Sequence, residues 1–396
     1  MEVLNVVGAR PNFVKIAPLL SRMREHAEIH PVLVHTGQHS SHEMADCFLR
    51  DLQIPRPDFV LSSDAARSEP EMTHALAQIM RFERPDVVLV VGDVNSTVAA
   101  AVAAAEAGIP IAHVEAGLRS FDNTMPEEVN RIVTDSLSSL WFAGEPSAVY
   151  NLLAEGHSRE RTFFAGNVMI DSLRQCLPLA QRSEVLSRLG LVGTRYALAT
   201  LHRPATVDDP ETFRRVWPAL ETIAASVPLI FPVHPRTQAR LRQFEFGGPS
   251  PPETAGAIRM IPPLPYLEFL HLESKASLVL TDSGGVQEET TAMGVPCLTL
   301  RNNTERPVTV THGTNRIVGL EPTRIVNAAH KILAGRPKQG RIPPLWDGHA
   351  AERIVNVLCK HFGMPALTPQ VPPTRPSLQR VAPLIAQSED SLHLPN

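Results

Sequence analysis

The chain has 396 residues, more than a single hydrophobic core usually serves, so two domains are expected. Its composition, 43% hydrophobic and 20% charged residues, is typical of a globular protein and excludes a fibrous or disordered class. Lys and Arg total 37 against 41 Asp and Glu, and the formal net charge of -4 excludes a global basic field for binding nucleic acid.

Export, membrane and metal signals are missing from the sequence. Met1 leads directly into an apolar run without the basic start of a signal peptide. The longest weakly polar stretch, 96–114, is alanine-rich and interrupted by polar residues, which predicts a helix and a strand rather than a membrane span. The cysteines are far apart and form no CxxC pair, which fits neither disulfides nor zinc: Cys47, Cys176, Cys297 and Cys359. We therefore expect a cytoplasmic protein without a metal site.

In the first half, short β-branched runs alternate with helical patterns. The runs are almost continuously apolar, as in strands buried on both faces of a parallel sheet, and span 3–8, 29–36, 86–92 and 109–114. Between the first two, apolar residues from Phe13 to Met23 recur at helical spacing. This order predicts β-α-β units with right-handed crossovers.

A second series of apolar runs follows, at 196–200, 227–233, 258–261, 277–281 and 295–300. The predicted fold is therefore α/β, with two Rossmann-like doubly wound domains facing each other across a cleft. We place the domains at 1–174 and 175–344, with a strandless hinge around 177–194. A helix within 345–364 is expected to return to the first domain, and the proline-rich tail 365–396 to be disordered.

Ligands of open α/β sheets bind beyond the carboxyl ends of the strands, where this sequence places three acidic residues. Asp93 and Glu115 each follow a predicted strand, and Glu127 begins a helix. Asp93 is about as well suited to capping the next helix as to catalysis. Glu127 lies at a helix start, where the helix dipole stabilises a carboxylate, and for Glu127 this structural alternative to catalysis is the stronger one. Glu115 caps no obvious helix and would need Arg10, Arg119 or a ligand as partner.

Two cations, Arg10 and Lys15, flank the first strand-to-helix turn. Together they suit an anionic ligand at a helix N-terminus, although each of them alone would be interpreted as a solvent-exposed surface charge. The turn has neither the P-loop nor the GxGxxG spacing, which argues against a nicotinamide cofactor.

In the second half, Ser283, Gly284 and Gly285 lie between a strand and a helix, where backbone N–H groups can cradle a diphosphate. Glu289, one helical turn later, can accept hydrogen bonds from a ribose diol, or it is simply an exposed helix residue. His202 and His234 each end a strand beside an arginine, which indicates a phosphate-facing wall rather than a metal site.

From Val3 to Ile354 the chain resembles the non-hydrolysing UDP-N-acetylglucosamine 2-epimerases, which have the GT-B fold. The resemblance rests on GARPNFVK, TGQH, GDVNST, HVEAGLRS, MPEEVNR, GNVMID, LHRP, PVHPRT, LTDSGGVQEE and NTERPVT, in that order. It implies a cytoplasmic homodimer that needs no cofactor, binds neither nucleic acid nor membrane, and supplies activated sugar for polysaccharide synthesis.

The resemblance also implies roles for individual residues. UDP would be bound through Ser283, Gly284, Gly285 and Glu289 on diphosphate and ribose, Arg10, His202 and Arg306 on the phosphates, and Leu264 and Phe269 at the uracil. The sugar would be surrounded by Lys15, Asp93, Glu115 and Glu127, with Asp93, Glu115, Glu127 and His202 as the catalytic set.

One motif departs from the family. Many members have His-Arg-x-Glu-Asn where this chain has His202-Arg203-Pro204-Ala205-Thr206. The allosteric site for a second UDP-N-acetylglucosamine in bacterial members is built near this loop and the Gln38-His39 turn, so the resemblance does not extend to regulation.

The C2 proton of the substrate has no neighbouring carbonyl, so direct enolisation cannot exchange it. An anti-elimination of UDP to a 2-acetamidoglucal, followed by re-addition, avoids redox chemistry and needs one proton-transfer group on each face of the sugar, one of them protonated at neutral pH. Four other functions remain open at this point. The protein could be a 2-epimerase of a UDP-diacetamido-uronic acid, a hydrolysing epimerase, a GT-B glycosyltransferase, or a nucleotide-sugar sensor.

Overall fold

The computed structural model describes residues 1–37, 48–62, 64, 66, 68–244 and 258–365, and only the backbone at positions 10, 204, 205, 235 and 236. The chain divides into two compact units. The first comprises Met1–Arg174 and the described residues from Pro344 onward, and the second comprises Gln175–Pro343.

The first unit is built on a parallel sheet of seven described strands in the order β3-β2-β1-β4-β5-β6-β7. The central strands are buried along their whole length because helices cover both faces, and they are rich in valine, which suits a pleated surface. The strands are β1 (Glu2–Val7), β2 (His30–His35), β3 (Phe59–Val60), β4 (Val87–Val91), β5 (Ile111–Val114), β6 (Leu140–Ala143) and β7 (Thr162–Phe164).

Amphipathic helices connect these strands. The predicted helical positions from Phe13 to Met23 are all buried in the first helix, and the alanine-rich stretch 96–114 divides into a helix and β5 as expected. The helices are α1 (Arg10–Arg24), α2 (Glu69–Glu83), α3 (Asn95–Glu106), α4 (Pro126–Leu137), α5 (Pro146–Ala154) and α6 (Val168–Ala180).

The second unit repeats this plan with six described parallel strands in the order β10-β9-β8-β11-β12-β13. Its strands are β8 (Ala197–Thr200), β9 (Leu229–Pro232), β10 (Ile258–Ile261), β11 (Leu278–Thr281), β12 (Cys297–Thr299) and β13 (Asn315–Ile317). Its helices are α7 (Val185–Arg188), α8 (Pro204–Val207), α9 (Pro210–Ala224), α10 (Pro235–Gln243), α11 (Tyr266–Lys275), α12 (Gly284–Met293), α13 (Pro307–Thr311) and α14 (Pro322–Leu333).

In both sheets the strand order reverses at one point. The reversal lies between β1 and β4 in the first unit and between β8 and β11 in the second. The connections leave these strand pairs toward opposite sides, which opens a crevice at their carboxyl ends. The fold therefore provides one binding position in each unit, and the polar turns singled out from the sequence follow these strands.

After Pro344 the chain packs again on the first unit. The last helix, α15 (Ala350–His361), contacts α1, and Asp171 of α6 accepts hydrogen bonds from the backbone N–H groups of Ala350 (3.1 Å) and Ala351 (2.7 Å) at its N-terminus. Burial raises the pKa of Asp171 to about 6 although these two bonds lower it. The buried Trp346 donates from Nε1 to the Gly144 carbonyl at 3.0 Å, so the segment before the helix and the start of the helix are both fixed to the first unit.

The predicted fold class is confirmed, as two parallel-sheet α/β domains, and every predicted strand is present within about two residues. Four strands are absent from the prediction: β3, β6, β7 and β13. The stretch 177–194, expected to be a hinge, contains the last residues of α6 and the whole of α7. The boundary between the two units falls within α6.

Two further features bear on the sequence expectations. None of the helices in the described ranges is both long and apolar enough to cross a membrane. The described cysteines, Cys176, Cys297 and Cys359, are free thiols and buried, whereas Cys47 and the tail beyond residue 365 lie outside the described residues.

Substitution of two glycines can test how the segment before α15 packs on the first unit. Gly166 and Gly156 have nearly equal φ values of +87° and +88°, but a Cβ at Gly166 would lie 2.2 Å from the Leu345 carbonyl oxygen, whereas a Cβ at Gly156 would meet nothing within 4 Å. We expect Gly156→Ala to cost about 1–2 kcal/mol for the left-handed backbone alone. Gly166→Ala should cost about 1–3 kcal/mol more because Leu345 must move. Urea unfolding of both variants measures the difference, and equal losses would show that the Leu345 contact yields without cost.

Candidate active site

The first group of polar residues lies at the carboxyl edge of the first sheet, at its reversal between β1 and β4. Lys15 of α1 and Glu115, directly after β5, form an ion pair with 2.6 Å between Nζ and Oε2. Both side chains are more than nine-tenths buried, at 5% and 7% exposure. Lys15 is therefore not a surface charge but a cation paired with Glu115, whereas Arg119 pairs with Asp135 and Glu155.

Glu115 also has an unusual backbone conformation. Its φ is +73°, in the left-handed region that costs a residue other than glycine roughly 1–2 kcal/mol. Two backbone N–H groups, of Glu115 and Ala116, donate to the Phe142 carbonyl on β6 and hold this turn in place. Strain of this kind in a surrounding that fixes it is common at functional sites.

Asp93 does not cap a helix. The N-cap residue of α3 is Val94, without a side-chain cap, and the Asp93 carboxylate instead forms an ion pair with the guanidinium of Arg131 on α4. Asn130, beside Arg131, donates to the Asp93 carbonyl at 2.9 Å. The capping interpretation is wrong, and the contact to Arg131 is one that sequence reasoning missed.

Glu127 lies where its sequence context indicates, in the first turn of α4 after Pro126, and it is partly exposed. The helix dipole stabilises its carboxylate by about 0.3–1 kcal/mol there. The next residue, Glu128, is buried and accepts hydrogen bonds from the backbone N–H groups of Ser120 and Phe121, each at 2.9 Å. Glu128 thus fixes the loop that leads from Glu115 to α4.

A network of buried polar side chains supports the turn after β4. His113 of β5 contacts the Gly92 carbonyl through Nε2 (2.9 Å) and Asp135 through Nδ1 (2.7 Å), and Asp135 also pairs with Arg119 at 2.7 Å. Burial alone would raise the pKa of Asp135, but the charges of His113 and Arg119 and their hydrogen bonds outweigh burial and lower that pKa. No local pattern signals these contacts, because the residues that form them are 22 and 16 positions apart.

The second group lies at the reversal between β8 and β11. Asp282, fully buried after β11, accepts hydrogen bonds from the backbone N–H groups of His202 (3.1 Å) and Arg203 (2.9 Å). Its carboxylate also lies 3.3 Å from Nδ1 of His202, whose side chain is 51% exposed. Asp282 therefore positions an accessible imidazole at the carboxyl edge, as expected for His202, while His234, at the end of β9, is also exposed.

The predicted diphosphate turn forms the start of α12. Ser283 is its N-cap residue, and Gly284 and Gly285 are its first two residues, so unpaired N–H groups and the positive end of the helix dipole meet there. A Cβ on Gly284 would lie 2.9 Å from Oε1 of Glu305. A larger residue at this position would therefore have to displace this carboxylate.

Buried ion pairs surround the turn. Arg306, the predicted phosphate ligand, is buried and its Nε lies 2.6 Å from Oε1 of Glu288. Glu305 pairs with both Arg203 and Arg301 at 2.8 Å. Burial lowers the pKa of Arg301, and Glu305 opposes this effect.

Glu289, the predicted ribose ligand, is buried in α12 rather than exposed, which excludes the exposed-helix interpretation. It accepts a hydrogen bond from the Tyr266 hydroxyl at 2.9 Å and lies beside the fully buried Glu273. Burial raises the pKa of Glu289 to about 7, and it raises that of Glu273 well above its ordinary value. The predicted uracil residues Leu264 and Phe269 pack, partly buried, against the apolar cluster on the same side of the sheet.

Some expectations fall on parts of the chain that are outside the described residues. These are the side chains of Arg10 and Ala205 and the Gln38-His39 turn. Of this region the structure places Thr206, which is buried in α8. In the described ranges, no group of three or more His, Cys, Asp or Glu is arranged to hold a metal ion.

Comparison with known proteins connects this geometry to one family. Residues 21–359 match the family model described as UDP-N-acetylglucosamine 2-epimerase. The UDP-N-acetylglucosamine 2-epimerase of Methanocaldococcus jannaschii is 38% identical over 366 residues, covering 90% of this chain and 99% of that protein. The UDP-2,3-diacetamido-2,3-dideoxy-D-glucuronate 2-epimerase of Pseudomonas aeruginosa is also 38% identical, over 91% of this chain and 100% of that protein.

A solved structure shows the same fold. The crystal structure of the M. jannaschii UDP-GlcNAc 2-epimerase in complex with UDP-GlcNAc and UDP superposes with a TM-score of 0.82 at 37% identity, covering 91% of this chain and 100% of that one.

The buried Lys15–Glu115 pair gives a stability prediction. Lys15→Met should lower the free energy of unfolding by about 3–5 kcal/mol because it removes the cation that lies against the buried Glu115 carboxylate. The double variant Lys15→Met with Glu115→Gln should lose less than Lys15→Met alone, since no charge remains to be compensated. Denaturant titration of the two single variants and the double variant measures the coupling, and simply additive losses would contradict it.

The carboxyl pair of Glu273 and Glu289 predicts a pH dependence of stability. Because both folded-state pKa values are raised, the folded protein holds protons that the unfolded chain releases, so stability falls as pH rises from the unfolded values through the folded ones. Glu273→Gln imitates the protonated acid and removes its share of this linkage. Between about pH 5 and about pH 8 the urea midpoint should therefore fall less in the variant than in the wild type.

The matched control for this experiment is Glu268→Gln, on the same helix but paired with the half-exposed Arg188. It should follow the wild-type pH dependence. If Glu273→Gln also follows the wild type, Glu273 is not protonated in the folded protein.

Proposed function

Since this chain belongs to the UDP-N-acetylglucosamine 2-epimerase family, we propose that it is the isomerase that interconverts UDP-N-acetylglucosamine and UDP-N-acetylmannosamine at C2. The observation that carries the proposal is the pair of cation-bound carboxylates, Asp93 and Glu115, after neighbouring strands at the reversal of the first sheet. A reaction that exchanges a carbon-bound proton needs such groups, positioned and shielded from water.

The chemistry proceeds by elimination and re-addition. A carboxylate removes the C2 proton while the C1–O bond breaks, and UDP leaves with the bonding electrons, so that a C1=C2 double bond forms in 2-acetamidoglucal. UDP then adds back at C1 as a proton is delivered to the opposite face of C2. No net oxidation occurs, and the reaction therefore needs no nicotinamide cofactor. We assign the proton transfers to the set of Asp93, Glu115 and Glu127.

Charge on the departing UDP requires donors in the second group. The start of α12, with Ser283, Gly284 and Gly285, offers backbone N–H groups, and His202 offers an imidazole that Asp282 orients. Such preorganised donors stabilise a leaving group without reorganisation during the reaction. We assign Arg10 and Arg306 to the phosphates, Glu289 to the ribose, Leu264 and Phe269 to the uracil, and Lys15 to the sugar side.

A UDP-diacetamido-uronic acid is the second candidate substrate. The P. aeruginosa relative named for that activity is as similar to this chain as the M. jannaschii relative is, at 38% identity each. The same elimination applies to both sugars because the C1 and C2 chemistry is shared. Comparison of kcat/KM for the two substrates decides between them.

The biological setting is also part of the proposal. We propose a cytoplasmic homodimer that supplies activated sugar for polysaccharide synthesis. The free, buried thiols of Cys176, Cys297 and Cys359 suit a reducing compartment. We do not propose regulation by a second substrate molecule, since Ala205 and Thr206 replace the acidic and amide residues of the family motif.

The test is to incubate the protein with UDP-N-acetylglucosamine alone in D2O. We expect deuterium at C2 of both sugars and UDP-N-acetylmannosamine as a product, because the proton returns from solvent-exchanged carboxyl groups. Asp93→Asn, Glu115→Gln and Glu127→Gln should each slow the exchange by roughly 10²–10⁴-fold.

Glu106→Gln, at the exposed end of α3, is the matched control and should exchange at the wild-type rate. Recovery of substrate without deuterium would exclude epimerisation. Free N-acetylmannosamine with UDP as the final products would indicate a hydrolysing enzyme instead.

A further inference from the structure

One buried cation, Arg131, contacts the proposed acid–base group but belongs to none of the predicted ligand positions. Its side chain is 2% exposed, and two carboxylates among the described residues pair with its guanidinium. One nitrogen, Nη2, pairs with Oδ2 of Asp93, and the other, Nη1, lies 2.8 Å from Oε2 of Glu128. Arg131 therefore connects the carboxylate after β4 with the helix that carries Glu127.

The two partners of Arg131 differ in what else they bind. Glu128 accepts hydrogen bonds from both the N–H (2.9 Å) and the hydroxyl (3.0 Å) of Ser120, and from the N–H of Phe121 (2.9 Å). These bonds commit Glu128 to the loop. Asp93 is 16% exposed at its side chain and lies at the open carboxyl edge of the sheet. Only one of the two ion pairs thus reaches a group that can meet a substrate.

We propose that Arg131 is a positioning residue for catalysis, which holds Asp93 in one rotamer and in its ionised form so that it acts as the base toward C2. The inference rests on the proposed function. A guanidinium beside a carboxylate favours the charged form, and its planar donors fix the direction of the carboxylate oxygens. The proton for the opposite face then comes from Glu115 or Glu127.

The other contacts described around Asp93 involve different atoms. Asn130 of α4 binds the Asp93 carbonyl, not its carboxylate, and His113 of β5 binds the Gly92 carbonyl. Lys15 of α1 approaches Gly92, where a Cβ would lie 2.7 Å from its Nζ, but its ion pair is with Glu115. The negative charge of Glu115, whose partner Lys15 approaches Gly92, opposes ionisation of Asp93, and the Arg131 guanidinium counters this effect.

The experiment measures kcat and KM for epimerisation across the pH range, with thermal unfolding, in Arg131→Lys, Arg131→Met and the control Glu128→Gln. We expect Arg131→Met to lower kcat by about 10²-fold or more with KM nearly unchanged. The acidic limb of its pH profile of kcat should move to higher pH by about one unit or more, because the carboxylate base is then protonated more easily. Arg131→Lys restores the charge and should keep the limb at the wild-type pH, with an intermediate kcat. Glu128→Gln should lower the unfolding temperature and leave the limb in place.

An unmoved limb in folded Arg131→Met, or an equal shift in Glu128→Gln, would overturn the proposal, since Arg131 would then be only structural. If Arg131→Met does not fold, Arg131→Lys decides: a kcat equal to the wild-type value at every pH overturns the positioning role. The wild-type protein in the same assay separates this inference from the proposed function. Without wild-type turnover both fail, whereas wild-type turnover with unaffected Arg131 variants refutes the positioning role alone.

Discussion

Several charged side chains at the carboxyl edges of the two sheets are buried, and a buried charge is tolerated only when it is paired. This requirement determines much of the local structure. In the first unit it joins Lys15 to Glu115 and Arg131 to Asp93, and in the second it joins Arg306 to Glu288. Each pair links two elements distant in the sequence, so the same contacts that neutralise the charges also hold strand ends and helix starts in place.

The pairing has a chemical consequence. A carboxylate that would otherwise be protonated on burial stays ionised beside a cation, whereas one without a cation takes up a proton. Both situations occur here: Asp135 has a lowered pKa beside His113 and Arg119, while Glu273 and Glu289 lie together where no described residue pairs them with a cation, and have raised pKa values. The protein thus sets the protonation of each acid by its partner. For an elimination and re-addition, which needs one ionised and one protonated group, this is the property that matters.

The sequence could predict those parts of the site that depend on local pattern. The apolar runs gave the two parallel sheets, and the rule for carboxyl ends of strands led to Asp93, Glu115, His202 and the glycine turn at Ser283. It could not predict partners, because pairing across elements leaves no local pattern: Lys15 and Glu115 are 100 positions apart, and Asp282 and His202 are 80 apart. The substrate came from family motifs rather than from spacing. Arg131 and His113 lay inside those motifs, but only the structure shows what they bind.

The backbone at Glu115 shows why such a site has to be built by the whole fold. A residue with a side chain at φ +73° is less stable there than glycine would be, and nothing in Val114-Glu115-Ala116-Gly117 indicates it. The conformation persists because the Phe142 carbonyl on the neighbouring strand binds two successive N–H groups of this turn and Lys15 binds the carboxylate. Glycine would relieve the strain but would remove the carboxylate. The turn therefore combines an unfavourable backbone with a required side chain, and the strands on either side of it supply the stability that makes the combination possible.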